Sequence, residues 1–351
     1  MEEVRSMGHG EGFQLNLYIE KLLKDCQKGY IPNPDEATRL LQVDLDSWAF
    51  YALCATANYL TRKHFDNQAE VCAQIGLDYA PCSKSCGFCA FSKSSGVVKE
   101  AIYWDEKTLI QTAKSFAEAG ANAIYLMSTA NYPFSGFVSM AEAVRISIPR
   151  DIPMVANTGD LTLSQAHELK DAGFTAVYHA LRLREGTDTR IPASKREETI
   201  SNAKEVGLVV QVCVEPVGPE HTIEELVDLM FWGREHSVSF SGAMKRTAVP
   251  GTALAKHGEI TFRELARIVA VTRLVMGDTV QAHCTHEPNL PALMAGANLI
   301  WAEAGPNPRD TEADTQYGRG QNVKHCRRIL EEAGFKVRKG ASIAALPSVL
   351  V

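Results

Sequence analysis

The sequence predicts a parallel (β/α)8 barrel of TIM type behind an N-terminal helical extension, and three observations carry that prediction. From residue 69 onward, short apolar runs alternate with amphipathic stretches of helical period. Eight such runs stand at 70–77, 123–127, 153–157, 176–180, 208–214, 239–244, 279–282 and 298–302. Helical stretches between them (106–119, 164–172, 194–206, 223–234, 262–276) several times end in Ala-Gly or Val-Gly, as at Ala119-Gly120, Ala172-Gly173 and Val206-Gly207. Glycine accepts the left-handed backbone that closes a helix. The competing arrangement is an open doubly wound sheet. No G-x-G-x-x-G follows a strand to support its dinucleotide crevice.

Taken in order, residues 1–68 form the extension. The stretch 15–24 is amphipathic, 35–41 follows an Asn-Pro turn, and 47–65 repeats apolar residues at helical spacing. Cys26 and Cys54 read there as small hydrophobes. The barrel spans 69–335, and 336–351 is left as a C-terminal tail. Cys326, before Arg327-Arg328 in the last helix, reads as a solvated thiol without a role.

A length of 351 residues leaves ample room for such a barrel, which needs about 250. With 45% hydrophobic and 22% charged residues the composition is that of a globular chain. A net charge of −6 argues against a nucleic-acid surface. No apolar run of about 18 residues is present to span a membrane. The start, Met-Glu-Glu-Val-Arg, lacks the apolar core of a signal peptide. Nine cysteines, an odd number, then read as reduced thiols in a cytoplasmic protein.

The stretch that carries chemistry is Cys82-Ser-Lys-Ser-Cys86-Gly-Phe-Cys89. Its C-x3-C-x2-C spacing puts three thiols on a short loop, because Gly87 interrupts any helix. Three thiolates hold three irons of a [4Fe–4S] cube and leave the fourth iron open. An open metal position is where a small molecule binds and is activated. Structural zinc is the plain alternative, but no second C-x-x-C or paired His stands nearby to complete it. The loop follows the first strand, so in a barrel it falls at the strand C-termini, the face that carries active sites.

This spacing, with Phe88 before the last cysteine, resembles that of the radical S-adenosylmethionine (SAM) enzymes. The resemblance implies that SAM chelates the open iron and is reductively cleaved to a 5′-deoxyadenosyl radical, which abstracts hydrogen from a small substrate. Over about 70–335 the chain resembles the branch containing biotin synthase, the hydrogenase maturase HydE and methylornithine synthase. The segments Met244-Lys-Arg-Thr-Ala-Val-Pro-Gly-Thr-Ala-Leu254 and Met294-Ala-Gly-Ala-Asn-Leu-Ile-Trp301 with Pro306-Asn-Pro308 carry the later half of the likeness.

Carried onto this sequence, the resemblance implies SAM contacts from Phe88, Ser128, Thr129, Glu185 and Arg196. Met127-Ser128-Thr129-Ala130 lacks the branch's usual acidic residue, which leaves backbone carbonyls and hydroxyls to meet the SAM amino group. Arg196 stands eleven residues before Gly207, the spacing of the arginine that pairs the SAM carboxylate in biotin synthase. Val217-Gly218-Pro219-Glu220-His221-Thr222 resembles the turn that approaches the adenine, one residue short.

Biotin synthase also holds a second iron–sulfur cluster, its sulfur donor. Tyr125 and Val155 occupy the positions of its first two cysteines and cannot replace them. Cys213 lies near the third, and His283-Cys284-Thr285-His286 lies where its arginine is expected. Imidazole and thiol are competent iron ligands, which leaves open a different second cluster or metal using Cys213 with His283, Cys284 or His286. His283 and Cys284 point to opposite faces if the seventh strand runs through both, and satisfied structural residues are the other reading. Lys245 and Arg246 end the sixth strand and suit a substrate carboxylate or an internal ion pair. The extra Cys and His residues lean the expected reaction towards sulfur insertion into a C–H bond. The absent cysteines favour the alternatives, HydE-like maturation or a rearrangement of the methylornithine synthase kind. A non-enzymatic zinc module is the remote alternative. The resemblance further implies an external electron donor such as ferredoxin or flavodoxin, and homodimerisation.

Overall fold

The structure, a computed structural model, describes residues 16–347; the first residues of the expected extension lie outside them. Eight parallel strands build the central sheet. They are β1 (Gln68–Gly76), β2 (Ala123–Met127), β3 (Met154–Asn157), β4 (Phe174–Tyr178), β5 (Val209–Gln211 and Val214–Val217), β6 (Phe240–Lys245), β7 (Ala282–Thr285) and β8 (Leu299–Ala304). The hydrogen-bonded path runs from the first piece of β5 through β4, β3, β2, β1, β8, β7 and β6 to the second piece of β5. Since the two ends are consecutive pieces of one strand, the sheet closes on itself. Across the join Ser239 N–H donates to Val210 O at 2.8 Å and Val212 N–H to Phe240 O at 3.4 Å.

The strands alternate as a barrel requires. One set of side chains, among them Cys72, Tyr125, Cys213, Phe240, Cys284 and Trp301, forms a core inside the barrel. The other set packs outward against the helices. Around the barrel run α4 (Glu106–Glu118), α5 (Phe134–Ser147), α6 (Leu163–Asp171), α7 (Ala193–Glu205), α8 (Ile223–Glu235), α9 (Phe262–Met276), the short α10 (Leu290–Leu293) and α11 (Val323–Glu332). Reciprocal capping boxes start α6 (Thr162, Gln165), α8 (Thr222, Glu225) and α9 (Thr261, Glu264). Each box satisfies first-turn N–H groups that would otherwise lack partners.

The extension contributes three helices, α1 (Leu17–Cys26), α2 (Pro34–Leu41) and α3 (Trp48–His64). They share the barrel's outer core. Two buried bonds tie the third to the loop after α10: Asn58 Nδ2 donates to Leu293 O and Thr61 Oγ1 to Gly296 O, both at 2.7 Å.

Three expectations need correction. The seventh strand lies at Ala282–Thr285 rather than 279–282; Thr279 and Val280 have β propensity but sit in the turn after α9, while His283, Cys284 and Thr285 make the strand. Cys326 is fully buried rather than solvated, and its thiol donates to Trp301 O at 3.3 Å. Of its basic neighbours Arg328 is exposed, while Arg327 donates to Gly120 O at 3.0 Å. The C-terminal stretch is no free tail: Lys336–Val337 pairs with β1, and residues beyond it cross the N-terminal end of the barrel.

Candidate active site

The strand C-termini surround an open cavity. Cys82, Cys86 and Cys89 all line it. Their loop is closed behind by a small hairpin, Asp78–Tyr79 against Ile102–Tyr103. Cys82 N–H donates to Phe91 O at 2.6 Å and Lys93 N–H to Cys82 O at 2.9 Å. Gly87 is held between two other loops, donating to Asp188 O at 2.7 Å and accepting from Leu254 N–H at 2.9 Å. A Cβ at Gly87 would lie 3.2 Å from the Leu254 side chain and 3.4 Å from Asp188 O, tight contacts that the neighbours would have to yield to. All three cysteines are free, and burial pushes the Cys89 thiol up to about 12. Three unpaired sulfurs of one loop, facing one cavity with a thiol that ionises only when a cation compensates it, fit a metal cluster.

The expected SAM contacts fall into two groups. Phe88, Ser128, Thr129 and Arg196 line the cavity, whereas Glu185 does not. The Ser128 hydroxyl lies 2.8 Å from that of Thr158. Thr129 is bound to Asp78 twice, by its N–H at 2.8 Å and its hydroxyl at 2.5 Å. Asp78, just beyond β1, thus holds Thr129 in place. Glu185 is buried behind Arg196, accepting from Arg196 Nε at 3.2 Å and from Thr189 Oγ1 at 2.5 Å. Arg196 Nη1 bonds Asp160 Oδ1 at 3.0 Å and stands 3.3 Å from His179 Nε2. Glu185 and Arg196, expected as separate contacts, are one buried ion pair. Burial lowers His179 to about 4. For Asp160 burial acts upward, but His179, Arg196 and Lys84 outweigh it and hold the carboxyl at about 2.

The remaining candidates separate. Arg246 lines the cavity but is paired with Glu220 and donates to Gly258 O at 3.0 Å. Lys245 pairs with Glu259 outside the cavity lining. Cys213 and Cys284 face each other inside the barrel, with Cα atoms 7.4 Å apart. That exceeds the roughly 4.4–6.8 Å a disulfide spans, which leaves them as two facing thiols. Neither lines the cavity. His283 points the other way, outside the barrel, edge-on to Phe65 with ring centroids 6.1 Å apart. It does not converge with the two thiols. His286 does line the cavity, stacked on Trp301 with its Nε2 2.8 Å from Glu303 Oε1.

Sequence reading passed over most of the cavity floor. Tyr178 OH donates to Glu215 at 2.5 Å, and Glu303 gathers Arg309, Arg319, Asn307 and His286. A signal existed: Gln74, Glu215 and Glu303 each stand two residues beyond an inward core residue (Cys72, Cys213, Trp301), so alternation points them inward at strand ends.

No family model matches the chain. It is 27% identical over 276 residues to a biotin synthase of Rippkaea orientalis, covering 75% of this chain and 74% of that protein. A biotin synthase of Gloeothece citriformis is 26% identical over 310 residues, with 84% of each covered. The fold matches the crystal structure of methylornithine synthase (PylB) with a TM-score of 0.76 at 17% identity, over 91% of this chain and 97% of that one. That of HydG, a maturase of the [FeFe]-hydrogenase, also gives 0.76, at 13% identity over 92% and 76%. The chain is thus similar to the biotin synthases in sequence and shares the fold of methylornithine synthase and HydG. Radical SAM enzymes as a class imply a [4Fe–4S] cluster, SAM, a small-molecule substrate and an electron donor. No helix among the described residues is long and apolar enough to cross a membrane.

Proposed function

We propose that this chain is a radical SAM enzyme that abstracts hydrogen from a small polar substrate enclosed in the barrel, with Cys82, Cys86 and Cys89 as the ligands of its cluster. The observation that supports this most directly is that the three free thiols open into the same cavity as Ser128, Thr129 and Arg196. Cys82, Cys86 and Cys89 would hold such a cluster, which would supply the one-electron reduction of SAM. The chain's own residues bind and orient. Arg196, braced by Glu185 and Asp160, fixes one wall. Gln74, Tyr178, Glu215, His286 and Arg309 offer the substrate a polar floor. The eightfold closure keeps bulk water from a carbon radical.

For the subsequent step we infer a rearrangement or maturation reaction, which needs one cluster in the barrel. Cys213 and Cys284 lie below the floor, away from the cavity, where a sulfur donor would be out of a substrate's reach. Sulfur insertion into a C–H bond is the second reading. It is favoured by the meeting of those two thiols inside the barrel, which suits a soft metal.

Anaerobic reconstitution with iron and sulfide, then SAM and dithionite, tests both. The main reading expects about four irons per chain, release of 5′-deoxyadenosine, and loss of both in Cys86→Ala. Cys213→Ala and Cys284→Ala should keep the wild-type iron content. Iron well above four that either variant reduces would move the assignment to sulfur insertion. A colourless, zinc-binding protein that leaves SAM intact would refute the enzyme reading.

A further inference from the structure

The cysteine loop interlocks with two other loops at the surface. Gly87 N–H donates to Asp188 O at 2.7 Å, Gly87 O accepts from Leu254 N–H at 2.9 Å, and Arg190 N–H donates to Lys84 O at 3.1 Å. A Cβ at Gly251 would lie 3.3 Å from Ser95 O, so the loop after β6 also touches the turn that follows the third cysteine. The stretches 83–101, 186–190 and 250–258 thus form one rim around the thiols. They hold five cations, Lys84, Lys93, Lys99, Arg190 and Lys256, against two acids, Glu100 and Asp188. The whole chain has the opposite balance, 36 basic against 42 acidic residues. Asp188 is half-buried beside Arg184 and His221. The loop after β8, whose Pro308 O accepts from Ala90 N–H at 2.8 Å, adds one exposed carboxylate, Glu312.

Lys93, Lys99, Arg190 and Lys256 are exposed, and their side chains make no ion pair or hydrogen bond among the described residues. Lys84, half-buried at the cavity wall, reaches Asp160 only at 4.0 Å. The exposed residues between these cations are small, among them Ser83, Ser94, Gly96, Thr187 and Ala253, so no bulky side chain holds a partner off the loop. A cluster at the thiols needs one electron from outside before SAM is cleaved, and this rim is the surface next to the thiols. We propose that the basic rim is the docking surface of a small acidic one-electron carrier protein. The inference rests on the proposed function, because it takes a cluster at the three cysteines. In the step it serves, the carrier is oxidised by one electron and the cluster reduced by one, with no bond made or broken. Opposite charge steers two such proteins together and fixes their orientation. The rest of a chain of net charge −6 repels an acidic partner, which narrows docking to the rim. Redox encounters bury little area, below about 1,200 Å² in total, which suits a rim of three short loops.

The test uses anaerobically reconstituted full-length protein and two acidic carriers as probes, a flavodoxin and a [2Fe–2S] ferredoxin. The rim variant carries Lys93→Glu, Lys99→Glu and Lys256→Glu. A control with the same change of charge carries Arg150→Glu, Lys336→Glu and Lys339→Glu, exposed residues at the other end of the barrel. At about 0.05 M salt at least one oxidised carrier should bind the wild type, the rim variant about tenfold or more weaker and the control within about threefold. Raising the salt to about 0.5 M should remove most of that difference. In turnover the rim variant should show a raised KM for the reduced carrier with kcat little changed. Release of 5′-deoxyadenosine driven by dithionite at the higher salt, which needs no docking, should stay within about twofold of the wild type. Iron content and SAM affinity serve as the folding control; if the triple variant does not fold, Lys93→Gln with Lys256→Gln carries the comparison, with a loss of about threefold. Binding of neither carrier to the wild type would overturn the inference, as would equal weakening in the control or a matching loss of SAM affinity in the rim variant. So would a single-stranded oligonucleotide that displaced the carrier at equal concentration, since the rim would then take any polyanion. Failure of the underlying reading looks different: the wild type would hold no iron cluster and release no 5′-deoxyadenosine with dithionite either.

Discussion

His179 is buried against Asp160 and Arg196, and its charged form is disfavoured by burial, with a pKa lowered to about 4. An unfolded histidine titrates near 6.5, so the unfolded chain takes the proton first as pH falls. The sign follows: this contribution is fully present above about pH 6.5 and is lost between there and about pH 4. A shift of that size corresponds to something on the order of 3 kcal/mol. Asp160, held at about 2, acts in a lower window, below the ordinary carboxylate range near 3.8. We expect His179→Gln to flatten the pH dependence of the urea midpoint between pH 6.5 and 4.5, leaving the share due to His64, His221, His283 and His286, which burial also lowers. A slope identical to the wild type would refute this role. Individual histidines show what sequence cannot tell at this scale. His283 and His286 are three residues apart and chemically alike, yet one packs against helices and the other faces the cavity. Strand alternation would have separated them had the bounds of β7 been legible.

The turn from β5 into α8 shows how an element limits its own sequence. At Gly218 a Cβ would stand 2.5 Å from the Arg246 guanidinium. That guanidinium is almost wholly buried and pairs with Glu220, two residues on in the same turn. Gly218→Ala should push Arg246 off Glu220 and leave a buried charge poorly met, costing about 1–3 kcal/mol. Chemical denaturation reads this directly, and a variant within about 0.5 kcal/mol of the wild type would show that the arginine simply swings away. The glycine turn itself was visible in sequence, as were the helices, because capping residues and helical period are local. The fifth strand was legible only as one run, 208–214. Its division into two pieces, one bonded to β4 and one to β6, comes from closing the barrel, a long-range constraint with no local mark.

At the scale of the molecule, chemistry and closure sit at opposite ends of the barrel, as parallel barrels generally arrange them. The cysteine loop and the cavity occupy the C-terminal ends of the strands; the chain's last described residues seal the other end. Ser342 Oγ donates to Glu70 Oε2 at 2.5 Å and Ile343 N–H to Glu70 Oε1 at 3.0 Å. Ala344 O accepts from Gln211 Nε2 at 2.8 Å and Ser239 Oγ at 2.7 Å, and Ala345 O accepts from Thr175 Oγ1 at 2.6 Å. Glu70, Gln211 and Ser239 are buried; without these partners the Gln211 amide N–H and the Ser239 hydroxyl lose their acceptor, and Glu70 keeps only its ion pair with Arg338. A stretch of Gly, Ser, Ala and Pro carries no periodicity, and its partners lie far back in the chain, which is why it read as a tail. Deleting residues 341–351 should therefore remove about five hydrogen bonds and cost about 5 kcal/mol. For a chain of this size that is a fall of about 10 °C in unfolding temperature. Because the cavity is at the far end, the truncated protein kept cold should still assemble its cluster and bind SAM with wild-type affinity. An unchanged unfolding temperature would mean that water replaces these contacts at little cost. Lost cluster assembly in a cold, folded truncation would mean that the two ends are coupled through the strands.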